Sequence, residues 1–170
     1  IKGLIMGYDH RFGRDRMGDS AELQGCGQKY GFFIKNVDPF CLDKEKISST
    51  RIRNALFEGE IENANAMLSR IYTITGHVEG GYRIGRIMGF PTANIRPDYN
   101  YKLVPKDGVY AVKVKVNDKE YRGMLNIGLR PTVNKGNENK SIEVHLLGFN
   151  GDIYGTKITL SFYKRIRNEM

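Results

Sequence analysis

From Ile71 to the end of the chain no apolar residue recurs at helical spacing, and short alternating runs separated by turn residues take over. The clearest is Tyr110–Val116 (YAVKVKV), where Tyr110, Val112, Val114 and Val116 alternate with Ala111, Lys113 and Lys115. A period of two buries one face of a strand and wets the other. Asn117-Asp118 then reads as a hairpin turn into a strand over 120–127. Further strands are expected over 71–78, 108–116, 141–147 and 157–163. Several antiparallel strands in about 100 residues expose sheet edges unless the sheet closes, so the pattern predicts a closed barrel.

The region before Ile71 has a different texture. Ile1–Gly7 reads as a strand feeding a glycine turn, Tyr8–Asp19 as a polar loop, Ser20–Leu23 as the start of a short helix and Phe32–Val37 as a strand. Ser48 or Ser49 caps a helix running to Glu58, with Gly59 as its stop, and a second helix covers 61–69. The expected class is therefore α+β: a mixed part over 1–69, then a barrel over 70–170. Ile1 in place of Met predicts that the chain starts inside a larger protein.

Charge and cysteine use bound the function. The net charge of +8 favours acidic partners: nucleotide phosphates, nucleic acid or a membrane surface. No apolar run approaches the roughly 18 residues of a membrane span, and no signal-peptide pattern is visible. Cys26 and Cys41 have neither CxxC spacing nor the density of a secreted scaffold, so the cytoplasm and free thiols are expected. His10, His77 and His145 are too scattered to predict a zinc site.

The chemistry concentrates in Gly76–Ile95 (GHVEGGYRIGRIMGFPTANI). Gly80, Gly81, Gly85 and Gly89 allow positive φ and close approach of backbone N–H groups to an anion, and Arg83 and Arg86 add charge. Thr92 and Asn94 lie two apart in an extended segment and offer a hydroxyl and an amide carbonyl to one side, hard oxygens that Mg²⁺ accepts alongside phosphate. The same alternation in 141–147 puts Ser141, Glu143 and His145 on one strand face, where a carboxylate beside a nucleotide can deprotonate an alcohol. Taken singly, these residues have bland alternatives: a turn-forming glycine loop and a solvated glutamate.

Resemblance decides between them. G-x-V-x-x-G followed by G-R-x-x-G-F-P-T-A-N-I is similar to the ATP- and magnesium-binding segment of riboflavin kinases. Asn126-Ile127-Gly128-Leu129-Arg130-Pro131-Thr132, Glu143-Val144-His145 and Tyr154-Gly155 continue the likeness, with Gly148 standing where bacterial members commonly have Asp. The resemblance implies Glu143 as catalytic base and Thr92 and Asn94 as metal ligands. It implies Gly80, Gly81, Arg83, Gly85, Arg86, Gly89 and Thr92 as the ATP-phosphate site, and Arg167, in an I-R-x-E run, as a residue near the flavin. Gly7–Gly13 with Arg16 and Asp19, and Ile47–Arg53 (ISSTRIR), resemble the adenylyltransferase half of bacterial bifunctional riboflavin kinase/FMN adenylyltransferases, or FAD synthetases. There Ser48, Ser49, Thr50 and Arg51 would bind nucleotide at a helix N-terminus.

The fold implied is the C-terminal part of an α/β, Rossmann-like nucleotidyltransferase domain followed by an antiparallel Greek-key β-barrel of riboflavin kinase type. The activity implied is Mg²⁺-dependent phosphorylation of riboflavin by ATP to give FMN and ADP, with neither nucleic acid nor membrane as partner. The HxGH phosphate site of the adenylyltransferases lies ahead of Ile1, so this chain alone is not expected to adenylylate FMN. The rival readings are a basic small-barrel nucleic-acid-binding module and an inactive flavin-binding remnant.

Overall fold

Asp19 and Gly31 delimit the first helix, and that helix organises the N-terminal region. The computed structural model describes residues 1–80, 91–129 and 140–169. The Asp19 side chain accepts the N–H groups of Ala21 and Glu22 (2.9 and 3.1 Å), starting α1 (Ser20–Tyr30), and Gly31 closes it at φ 72°. α1 is the crossover between β1 (Gly3–Gly7) and β2 (Phe33–Val37), which pair in parallel. A small hairpin follows, β3 (Cys41–Leu42) and β4 (Glu45–Lys46), turning on Asp43 and Lys44 at positive φ. Cys26 and Cys41 are free thiols.

Contacts divide the chain into two units, Ile1–Ile47 and Ser48–Met170. The second begins with α2 (Ser49–Glu58): Ser48 Oγ accepts the Arg51 N–H at 3.2 Å, and Gly59 ends the helix at φ 76°. A Cβ at Gly59 would collide with the Arg165 side chain, so glycine there answers both conformation and packing. α3 (Ile61–Leu68) is fastened to two strands by one residue. Asn65 Oδ1 accepts the Tyr72 N–H at 2.7 Å, and its Nδ2 donates to the Phe162 carbonyl at 2.9 Å.

Those strands belong to a closed barrel of β5 (Tyr72–Glu79), β6 (Thr92–Pro97), β7 (Gly108–Val116), β8 (Lys119–Leu129), β9 (Lys140–Leu146) and β10 (Lys157–Arg167). The order around it is β10-β5-β6-β9-β8-β7, every pairing antiparallel. β7, β8 and β9 form a meander with β6 returning beside β9, which is a Greek key. Alternation fills the interior: Val112, Val114, Leu125, Ile127, Ile142, Val144, Leu160 and Phe162 are buried, while Lys113 and Lys115 face out. Tyr110 packs edge-on against Phe162 at 5.5 Å between ring centres. Burial also pushes the Tyr72 phenol up to about 12, and its hydroxyl donates to the Leu103 carbonyl at 2.6 Å.

The predicted hairpin turn is present, with Asn117 and Asp118 at φ 45° and 64° between β7 and β8. Three features differ from the expectation. β6 is a full barrel strand, β10 continues to Arg167 through register shifts after Phe162 and after Arg165, and the β3–β4 hairpin is additional. Among the described residues no helix is long and apolar enough to cross a membrane.

Candidate active site

Register on the outer face of β6, β9 and β8 builds the site. Asn94, Glu143 and Asn126 stand opposite one another across the three strands, and Thr92, His145 and Met124 form the adjacent row. Each strand turns its apolar neighbours inward (Ile95; Ile142, Val144 and Leu146; Leu125 and Ile127), so the polar set must face out. The diagonal between rows brings Thr92 and Glu143 together, with Thr92 Oγ1 donating to Glu143 Oε2 at a long 3.5 Å. His145 Nδ1 lies 2.9 Å from the Pro91 carbonyl.

A pocket of about 280 Å³ opens over these rows, lined by Thr92, Met124, Asn126, Glu143 and His145 together with Val109, Arg167 and Glu169. The end of β10 supplies its far wall. Arg167, in register with Val109, turns Nη1 to the Asn168 carbonyl at 3.2 Å, and Glu169 Oε1 accepts from Asn126 Nδ2 at 3.4 Å. The Glu169 carboxylate lies over Gly128, in the space a Cβ there would take.

The structure thus gathers Thr92, Glu143 and Arg167 around one pocket. Asn94 shares the face and the row of Glu143 but is outside the lining. Gly80 follows β5 against the Tyr154 ring and does not line the pocket either. Gly81, Arg83, Gly85, Arg86 and Gly89 lie outside the described residues. Ser48, Ser49, Thr50 and Arg51 form the N-terminus of α2, where Ser48 acts as the cap. Asn126 and Glu169 received no role from sequence. Each belongs to a run already singled out, N-x-G-x-R-P-T and I-R-x-E, but their meeting depends on the residues after β10 reaching β8.

A second pocket, of about 540 Å³, lies within Ile1–Ile47 and is lined by Tyr8, Asp9, His10 and Arg11 facing Asp19, Ser20, Ala21 and Gln24. It joins the two ends of the glycine-rich motif that follows β1.

Comparison with known proteins agrees with this architecture. A family model described as riboflavin kinase matches residues 68–170, and one described as FAD synthetase matches residues 1–51. The bifunctional riboflavin kinase/FMN adenylyltransferase of Haemophilus influenzae is 42% identical over 171 residues, covering 100% of this chain and 54% of that protein. The Escherichia coli K12 protein of the same description is 41% identical over 170 residues, covering 99% and 53%. A crystal structure described as a macrolide-efflux protein from Streptococcus pneumoniae matches with a TM-score of 0.85 at 34% identity, covering 96% of this chain and 52% of that one. With the riboflavin kinase model matching more than half of its residues, the chain belongs to the riboflavin kinase family. It spans about half the length of the curated relatives it matches.

Proposed function

We propose that the chain phosphorylates riboflavin to FMN with ATP, as the kinase part of a bifunctional enzyme that also adenylylates FMN to FAD. The observation that carries this reading is the meeting of Thr92 and Glu143 at one pocket on the barrel's outer face. In this reading residues 1–69 are the tail of an adenylyltransferase domain and 70–170 the kinase domain, with α2 and α3 as a connection packed in the barrel's unit. The enzyme works in the cytoplasm, where the thiols of Cys26 and Cys41 stay reduced.

Phosphoryl transfer asks a protein mainly for positioning and charge stabilisation. Glu143 accepts the proton of the ribityl 5′-hydroxyl as that oxygen bonds to the γ-phosphorus and the bond to the β,γ-bridging oxygen breaks, leaving FMN and ADP. The Gly80–Gly89 segment with Arg83 and Arg86 cradles the phosphates, and Arg167 orients the flavin side. The hydroxyl of Thr92, the amide of Asn94 and the adjacent carboxylate are hard oxygen donors, a set that fits Mg²⁺, with Thr92 and Asn94 as its ligands. Bound there with ATP, the ion neutralises charge on the phosphate oxygens.

The nucleic-acid reading is weaker because several of the barrel's exposed cations are engaged. Lys113 with Glu120, Lys115 with Asp118, Lys157 with Asp98 and Arg96 with Glu79 form ion pairs of 2.8–3.2 Å, which breaks up a basic track. The test is FMN formation from riboflavin and ATP, with and without Mg²⁺, in the chain and in Thr92→Val. Thr92→Val is expected to raise the Mg-ATP requirement about tenfold. Flavin product independent of magnesium, or an unchanged requirement in Thr92→Val, contradicts the assignment of that threonine.

A further inference from the structure

We infer that His145 is a positioning residue for the kinase site: its Nδ1–H holds the Pro91 carbonyl and thereby fixes Thr92 on the diagonal to Glu143. This rests on the kinase reading above. A carbonyl oxygen only accepts, so the 2.9 Å contact requires the proton on His145 Nδ1 and sets the ring's tautomer. The contact sits at the start of β6, where the described ladder pairs the strand on one side. In the described ladder β6 meets β5 only from Asn94 to Pro97, whereas Thr92 and Ala93 are in register with β9 alone. Pro91 has no N–H to give, so its carbonyl is the one main-chain group with which that residue can bond a neighbour. His145 is also the cross-strand partner of Thr92 and lines the same pocket. One ring therefore anchors the residue before Thr92 while packing beside Thr92 itself. Because the Thr92–Glu143 contact is already long at 3.5 Å, a small displacement of this strand end breaks it.

Two substitutions separate this role from chemistry at the other ring nitrogen. Asparagine places an amide nitrogen where Nδ1 stands; glutamine places one nearer Nε2. We expect His145→Ala and His145→Gln to raise the KM for Mg-ATP about tenfold, with kcat changed by less than about threefold, and His145→Asn to stay within about twofold of the unsubstituted chain. Independently of activity, the ¹⁵N shifts of the His145 ring should report the Nδ1–H tautomer. Melting temperatures of the variants identify any that fail to fold, and the Asn–Gln pair and the tautomer keep the test decisive if the alanine variant does. An Nε2–H tautomer, rescue by Gln instead of Asn, or an unchanged KM in His145→Ala overturns the inference while leaving the kinase reading standing. No FMN from the unsubstituted chain removes the kinase reading and the functional half of the inference together.

Discussion

The two units of this chain use β-structure in opposite ways. In Ile1–Ile47 the only strands are two short pairs, and Met6 is the one buried apolar side chain among the described residues, while Ile5, Phe33, Val37 and Phe40 remain exposed. In Ser48–Met170 six strands close on themselves, and Tyr110, Val114, Leu125, Ile127, Val144, Leu160 and Phe162 are sealed inside. A two-stranded sheet has too few neighbours to cover its own faces, whereas a closed barrel removes both edges and gives every inward residue a partner. Rigidity of this kind suits a site assembled across three strands. Glu143 and Thr92 meet only because β6 and β9 hold their register.

The contrast can be broken at several places. Phe162→Ala, in the barrel centre against Tyr72 and Tyr110, should destabilise the second unit by about 3–5 kcal/mol, read as a lowered thermal or urea midpoint. Asn65→Ala leaves the Tyr72 N–H and the Phe162 carbonyl without the partner that ties α3 to the barrel. A loss of about 1–3 kcal/mol is expected in the same measurement, and a loss indistinguishable from zero would mean that α3 is held by packing alone.

A smaller effect is expected from acid. The Lys157 ammonium, hydrogen-bonded to Asp98, holds that carboxyl below its ordinary 3.8, and His77 adds to the effect. A depressed carboxyl pKa contributes stability above the unfolded value that is lost as pH falls through the folded one. Asp98→Asn should therefore lower barrel stability at neutral pH and converge with the unsubstituted chain well below pH 3.8. Parallel curves across that range would assign the residue no such linkage. Smallest of all, Ile5→Ala should change stability by no more than about 0.5 kcal/mol, because the side chain is 69% exposed on β1. A core-sized loss there would show that the first unit buries more than its own strands account for.

Much of the barrel was legible because its signals are local. Tyr110–Val116 alternates without a break, and the turn at Asn117-Asp118 and the caps at Ser48 and Gly59 are each written in one or two residues. β6 was visible only as an extended segment, since it is short, follows Pro91 and ends on Pro97; it is a strand because β5 and β9 pair with it. β10 outruns its pattern because the register shifts after Phe162 and Arg165 interrupt the period of two. Glu143, Thr92 and Arg167 were singled out by motif, and all three line one pocket. Asn126 and Glu169 were not, because a hydrogen bond spanning 43 residues leaves no local trace. Likewise the packing of α2 and α3 with the barrel, despite a change of texture near Leu68, follows from contacts such as those of Asn65, which no periodicity encodes.

The most direct test of the kinase account compares Glu143→Gln with the unsubstituted chain in two assays: FMN formation from riboflavin and Mg-ATP, and equilibrium binding of Mg-ATP. A fall in kcat of about 10²–10⁴-fold with nucleotide affinity retained is expected, because the amide keeps the shape of the side chain and loses the capacity to take a proton. Full turnover in Glu143→Gln would contradict the assignment of Glu143, and the base would then have to be sought elsewhere on the pocket wall.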